Sequence, residues 1–141
     1  MTEEFEVKKR VAATVATDKR FRDRPFDWSK SATCVHLMRF HAAQMGHELP
    51  LVPRFRTALG AKKALRNLGY ENLPDLLDNY FTQIPPAFMR VGDLMAVPGD
   101  QGWHSILIKG DKRKFLGWHE EAEGCTIIDV DMSAAEKAWR L

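Results

Sequence analysis

Cys34 is the residue of this chain that is best placed for nucleophilic chemistry. It begins the segment CVHLMRFHAAQMG, in which apolar residues recur at three- and four-residue steps and predict a helix that ends at Gly46. Unpaired backbone N–H groups and the helix dipole favour an anion in a first turn, so we expect a lowered pKa for the Cys34 thiol. The same N–H groups can bind the oxyanion of an acyl transfer. The alternative is that Cys34 is a small, buried, apolar residue.

A thiolate nucleophile needs a base, and His104 is the best candidate. It begins the apolar run HSILIKG, which follows the strand-like run GDLMAVP after the short loop Gly99–Gly102. A histidine at the mouth of a strand is half-exposed and can approach a thiol. Considered alone, His104 is also compatible with an ordinary surface histidine.

A third polar group usually orients the base. Residues Gly110–Arg113 predict a hairpin turn, across which the numbers of facing residues sum to roughly 222 or 223. His104 then faces Trp118 or His119, and His119 is the candidate orienting residue. A shift of one residue in the register replaces it with tryptophan.

Three of the four tryptophans are candidates to line a substrate groove. Trp103 and Trp118 lie beside the predicted base, and Trp28 precedes the cysteine by a few residues. Packing in the core is the alternative role, which we expect for at least two of the four.

The cysteines and histidines form no recognised metal site. Cys34, His36, His41 and Cys125 match no zinc-ligand spacing, and His36 and His41 are too far apart in a helix to share one face. We therefore expect no metal and no other cofactor. Neither cysteine belongs to a C-x-x-C pair, and we expect both to be free thiols.

The composition is that of one globular domain. The chain has 141 residues, of which 45% are apolar and 28% charged, and a formal net charge of +2. This small charge disfavours nucleic acid as the main partner, although the basic segment Lys19–Arg24 leaves a contact with phosphates open. No run approaches the roughly 18 apolar residues of a membrane span, and the N-terminus lacks the apolar core of a signal peptide. We expect synthesis and folding in a cytoplasm.

The elements that must position these residues change in kind along the chain. The first part predicts four helices: Glu3 to about Ala16, the Cys34 helix with Ser31 or Thr33 as its cap, Thr57 to Gly69, and Leu73 to Tyr80. A polar connector, Asp18–Asp27, separates the first two.

After Pro85–Pro86 the pattern changes to short strands. They are predicted at Asp93–Val97, Trp103–Lys109, Lys114–Trp118 and Cys125–Val130, with a last helical turn or two at Ser133–Trp139. Helices followed by an antiparallel meander predict an α+β fold, in which the helices pack on one face of the sheet.

Four segments in order carry a family resemblance: PFDWSKSATC, the amphipathic helix, GDLMAVPG and WHSILIKG. Together they resemble the NlpC branch of the papain-like cysteine peptidases. The likeness is closer to a small phage-borne family of NlpC-like tail proteins, whose motifs match Phe26–Trp28, Arg54–Gly69, Gly92–Leu94 and Ala138–Arg140. It spans residues 25–141, so we expect an N-terminal helix and basic connector over 1–24 and an NlpC-like domain over 25–141, within one compact domain.

The resemblance implies a papain-like fold of the NlpC type, with N-terminal helices on a small antiparallel sheet, and a Cys34/His104 pair. It implies cleavage of an amide bond in peptidoglycan stem peptides by a cysteine endopeptidase or amidase that assists cell-wall penetration. It also implies a virion location at the tip of a phage tail, with other tail-tip and hub proteins as partners, after synthesis in the cytoplasm of a bacterial host. Neither nucleic-acid binding nor membrane insertion is expected.

Three positions depart from the family pattern. Thr33 stands before the cysteine where relatives commonly have Asp, Val35–His36 replace a small Ser-Gly pair, and the usual third catalytic position falls near Gly117. These departures leave the activity open. The alternative function is a catalytically degenerate structural adaptor of the phage tail tip.

Overall fold

The computed structural model describes residues 2–99, 103–118 and 123–141, and within them the chain folds as four helices and a six-stranded sheet. The helices are α1 (Thr2–Phe21), α2 (Cys34–Gln44), α3 (Ala58–Asn67) and α4 (Leu73–Tyr80). The strands are β1 (Thr82–Ile84), β2 (Leu94–Pro98), β3 (His104–Lys109), β4 (Lys114–Gly117), β5 (Thr126–Asp129) and β6 (Lys137–Arg140). The α+β prediction is confirmed.

Local capping residues set the helix ends. The side chain of Thr33 accepts the N–H of His36 at the start of α2, and Thr57 accepts the N–H of Gly60 at the start of α3. Gly46 and Gly69 follow these two helices with φ of 88° and 95°, a left-handed backbone that glycine adopts without strain. The predicted ends of α2, α3 and α4 are confirmed.

The first helix is longer than predicted. It continues past Ala16 through Phe21, so the first four residues of the predicted Asp18–Asp27 connector are helical. Buried Thr17 and Phe21 hold this last turn against the core, and Arg22 binds the Asp18 carboxylate one turn back at 2.6 Å. The last turn of α1 was not predicted because most of its residues are polar and few of them are buried.

The sheet is antiparallel throughout, in the order β1-β6-β2-β3-β4-β5. Strands β2 to β5 match their predictions to within one residue at either end. The helix predicted at Ser133–Trp139 is wrong: a single turn at Met132–Ala134 precedes β6. Pairing of β6 with β1 and β2 buries Trp139 completely, and this tertiary burial overrides the helix-forming composition.

All the helices contribute to one core on one face of the sheet, as predicted. Ile106 and Ile108 of β3 join buried residues of the helices there, whereas Leu107 belongs to a small cluster with Met95 and Phe115 on the other face. The alternation along β3 therefore assigns each residue to a face. No helix in the described ranges is long and apolar enough to cross a membrane.

Buried Asp93 ties the two ends of the chain to the sheet. Its carboxylate binds Arg10 of α1 at 2.9 Å, Arg140 of β6 at 2.8 Å and the N–H of Leu141 at 3.0 Å. Arg10 also donates to the carbonyl oxygen of Leu141. The segments Gly92–Leu94 and Ala138–Arg140 thus meet in one ionic cluster.

Candidate active site

A cavity of about 560 Å³ opens at the end of the sheet where β2 leads into β3. Its walls include Cys34, His104 and all three tryptophans that were predicted to line a groove, Trp28, Trp103 and Trp118. The cavity therefore brings together, from three separate parts of the chain, the predicted nucleophile, the predicted base and the three predicted groove residues.

Cys34 is the first residue of α2, and its sulfur contacts the sheet directly. The backbone N–H of Ile106 in β3 donates a hydrogen bond to Cys34 Sγ at 3.4 Å. In β3 the N–H of Ile108 and its even-numbered neighbours points toward β4, but the β3–β4 pairing stops short of Ile106 in the described residues. The Ile106 N–H therefore has no strand partner in the described residues, and Cys34 Sγ accepts it instead.

The thiol lies under the surface. Cys34 is 8% exposed, and burial raises the pKa of its thiol to about 11, while the hydrogen bond from Ile106 acts in the opposite direction. The prediction of a lowered pKa is wrong, because burial, which raises the pKa of the thiol, is the largest influence on it. In its resting state the site holds a neutral thiol.

His104 begins β3, two residues before Ile106, and so belongs to the same face of the sheet as the residue that contacts the sulfur. Two residues of a strand span about 6.6 Å, so the backbone of His104 lies about that far along β3 from the residue that donates to the sulfur. Its Nε2 lies 2.7 Å from Glu136 Oε2. A carboxylate can only accept, so Nε2 carries a proton, and in the neutral ring Nδ1 then keeps a free lone pair.

Nδ1 of His104 is the atom available for proton transfer. It is buried and has no hydrogen-bond partner among residues 2–99, 103–118 and 123–141. The ring thus has two distinct edges, one occupied by Glu136 and one unoccupied inside the protein. A base needs an unoccupied nitrogen of this kind.

The predicted orienting residue, His119, lies outside the described residues. The predicted hairpin register is wrong, because Ile108 pairs with Leu116, one to two residues further along β4 than expected. The turn is the reason: Gly110 N–H donates to the Lys114 carbonyl at 2.8 Å, and Lys112 has a φ of 51°, so three residues rather than four form the loop. His104 therefore does not face Trp118 across the ladder, although both line the cavity.

Glu136 was missed by the sequence analysis. It directly precedes β6, and its backbone N–H donates to the Ala96 carbonyl of β2 at 2.8 Å. A helix at Ser133–Trp139 would have placed it elsewhere. Only the pairing of β6 with β2 brings it to His104, and no local pattern signals that pairing.

Aromatic rings form one wall of the cavity. Ring centroids of Trp28 and Trp103 lie 5.0 Å apart, those of Phe26 and Trp28 lie 5.2 Å apart, and those of Phe26 and Trp118 lie 5.6 Å apart. These contacts are tilted or edge-to-face, as aromatic pairs prefer. The indole N–H of Trp118 donates to the Arg24 carbonyl at 2.7 Å, which fixes the ring. The tryptophans both pack and face the cavity.

The two histidines of α2, His36 and His41, do not line the cavity. His41 is fully buried and binds the Gly92 carbonyl at 2.8 Å and Thr17 Oγ1 at 3.0 Å, and burial lowers its pKa to about 4. It is a neutral structural residue.

Cys125 is a buried free thiol, and burial raises its pKa to about 12. Within the described part of the chain, no group of three or more acidic, His or Cys side chains is placed to hold a metal.

Comparison with known proteins gives one family and no named relative. No curated protein matches the chain. A family model described as "Domain of unknown function (DUF6950)" matches residues 6–141, which include most of α1 as well as every element of the site. The chain therefore belongs to the DUF6950 family.

Proposed function

We propose that this chain is a thiol hydrolase with a papain-like fold of the NlpC type, in which Cys34 is the nucleophile and His104 the base. One observation carries the proposal: the strand that begins with His104 donates the Ile106 N–H to Cys34 Sγ at 3.4 Å. A sulfur at a helix start and a histidine with a free, buried Nδ1 line the same cavity. The backbone contact of Ile106, two residues after His104, supports the pairing of Cys34 as nucleophile with His104 as base.

The proposed reaction has two steps. Cys34 Sγ gives its proton to His104 Nδ1 and attacks the carbonyl carbon of an amide; the C–N bond breaks, and the leaving nitrogen takes the proton from His104. Water then attacks the thioester and gives one proton to His104. The C–S bond breaks, and the sulfur recovers the proton from His104.

The start of α2 offers donors for the oxyanion of both steps. The N–H of His36 bonds the Thr33 side chain and that of Leu37 bonds the Thr33 carbonyl at 2.9 Å. The N–H groups of Cys34 and Val35 precede these bonds and have no partner within the helix. Their position beside the sulfur suits a developing negative charge.

We further propose that the substrate is a peptidoglycan stem peptide and that the protein acts at the tip of a phage tail, beside other tail-tip and hub proteins. The resemblance of the cysteine, Gly-Asp-Leu and histidine segments to NlpC-like tail proteins supports this. In that setting the chain is made in the bacterial host cytoplasm and carried to the cell wall in the virion.

Burial of the thiol favours a second candidate function. A pKa of about 11 leaves little thiolate at neutral pH, and Cys34 is 8% exposed. These values suit a structural adaptor of the tail tip that keeps the fold without the chemistry. The two functions differ in whether Cys34 reacts.

Turnover of purified peptidoglycan tests the proposal, with soluble fragments measured by chromatography and mass spectrometry. We expect fragments from the wild type, and none above background from Cys34→Ala or His104→Ala. Cys125→Ala is the matched control, since it removes the other buried thiol, which does not line the cavity, and should retain turnover. Circular dichroism of each variant establishes folding.

Two outcomes contradict the hydrolase. One is a folded wild type that releases no fragments from walls of several bacterial types. The other is a Cys34→Ala variant that releases fragments as fast as the wild type. The first outcome favours the adaptor.

A further inference from the structure

We infer that Glu136 is the positioning residue of His104, an inference that rests on the proposed function and deepens it. The carboxylate of Glu136 binds Nε2 at 2.7 Å, which selects, in the neutral ring, the tautomer whose buried Nδ1 keeps a free lone pair. The orienting group was expected on the β4 side of β3. Glu136 lies on the other side of β3, beyond β2. The base is held from the β6 side of the sheet.

The two edges of the imidazole have different surroundings. The His104 side chain is 23% exposed and that of Glu136 is 47% exposed, whereas Nδ1 itself is buried. The Nε2 edge of the imidazole therefore faces the partly exposed carboxylate of Glu136, and the Nδ1 edge faces the protein interior. Without Glu136, the neutral ring loses the acceptor that keeps its single proton on Nε2.

The backbone of Glu136 is fixed independently of its side chain. Its N–H donates to the Ala96 carbonyl at 2.8 Å, and the next residue, Lys137, pairs with Asp78 of α4 at 2.7 Å. Trp139 also donates to Asp78, at 2.8 Å. Strand β6 is thus anchored to β2 and α4, so a substitution of the Glu136 side chain removes the carboxylate and leaves its backbone position.

The exposure of Glu136 limits what it contributes. A contact with a carboxylate that is open to water is screened and adds little free energy to folding. Its contribution is therefore to the direction and tautomer of the ring. If Glu136 had only a structural role, its substitution would change the free energy of unfolding. If it positions His104, its substitution changes the tautomer of the imidazole and kcat.

The test compares Glu136→Ala and Glu136→Gln in the full chain, with Asp129→Asn as matched control, because Asp129 is a 63%-exposed carboxylate in a surface pair with Lys114. The first measurement is the ¹⁵N shift of each His104 ring nitrogen, assigned by loss of the signals in His104→Gln. Well-separated shifts with protonated Nε2 are expected in the wild type and in Asp129→Asn. In Glu136→Ala the two shifts should move toward each other. Glu136→Gln should keep the separation, since the amide oxygen can accept the same bond.

The second measurement is peptidoglycan turnover. We expect kcat to fall about 10²-fold in Glu136→Ala with KM little changed, at the low end of what positioned proton transfer contributes. Glu136→Gln should recover part of this loss. Ring shifts in Glu136→Ala that match the wild type would overturn the inference, and so would equal kcat values in these two proteins.

The two proposals fail in different ways. If the wild type releases no fragments, the hydrolase fails, and the ring shifts still decide whether Glu136 sets the tautomer. If Cys34→Ala abolishes turnover while Glu136→Ala leaves kcat and the ring unchanged, the hydrolase stands and the role of Glu136 is refuted.

Discussion

The backbone N–H of Ile106 donates to Cys34 Sγ across 3.4 Å, so the strand that begins with His104 also fixes the sulfur. The contact is between the first residue of α2 and the centre of the sheet. It makes the position of the sulfur relative to the backbone of β3, and so to the backbone of His104, a property of how α2 packs on β3.

The buried thiol predicts slow alkylation of the native protein at neutral pH. With a pKa of about 11, the thiolate fraction increases about tenfold for each unit by which the pH increases, as long as the pH stays below the pKa. At pH 8 it is about one thousandth of the total. The rate of iodoacetamide addition to Cys34, followed by intact mass in the Cys125→Ala background, should therefore increase steeply from pH 7 to pH 10.

Urea-unfolded protein is the control for this measurement, since its Cys34 should react as an ordinary thiol with a pKa of about 8.5. Native Cys34 that reacts faster than the unfolded chain at pH 6 would contradict the prediction. Circular dichroism at each pH shows that the fold persists.

Loss of the α2 cap predicts a less stable protein. Thr33→Ala removes the oxygen that accepts the His36 N–H and that also lies 2.8 Å from His36 Nδ1. We expect the free energy of unfolding to fall by about 1 kcal/mol, measured by urea denaturation. Thr33→Ser keeps the oxygen and should lose less, and equal stability of the Ala and wild-type proteins would count against the cap.

The buried carboxylate of Asp93 predicts the largest effect of a single polar substitution. Asp93→Ala leaves Arg10, which is 7% exposed at its side chain, without its buried partner and frees Arg140 and the Leu141 N–H. Breaking a buried ion pair costs about 3–5 kcal/mol in the free energy of unfolding. Asp129→Ala, at a surface pair, should cost less than about 0.5 kcal/mol. Similar urea midpoints for the two variants would refute the prediction.

His41 predicts a loss of stability in mild acid. Burial lowers its pKa from 6.5 to about 4, so between these values the unfolded chain binds a proton that the folded chain does not. The contribution of neutral His41 is complete above pH 6.5 and is lost as the pH falls to about 4, a change of about 3 kcal/mol.

A comparison with His41→Gln isolates this group. Both proteins share every other titrating side chain, so the difference between their unfolding free energies should shrink as the pH falls from 7 to 4. A difference that stays constant over this range would show that His41 does not titrate as predicted.

The sequence by itself determined α2, α3 and α4 and four of the six strands. Thr33, Gly46, Thr57 and Gly69 are local capping signals, and periodicity located β2 to β5 to within one residue. It also selected Cys34 and His104, which share the cavity. These features could be predicted because caps, turns and periodicity act over a few neighbouring residues.

Only the tertiary structure decided the protonation of Cys34 and the partner of His104. The helix start favours a thiolate, but burial beneath β3 raises the pKa, and burial is a sum over the whole fold. Glu136 reaches His104 because β6 pairs with β2 across some forty residues of intervening chain. Strand pairing at such separations is set by which edges are free and which residues can be buried together, and neither is written in a local pattern.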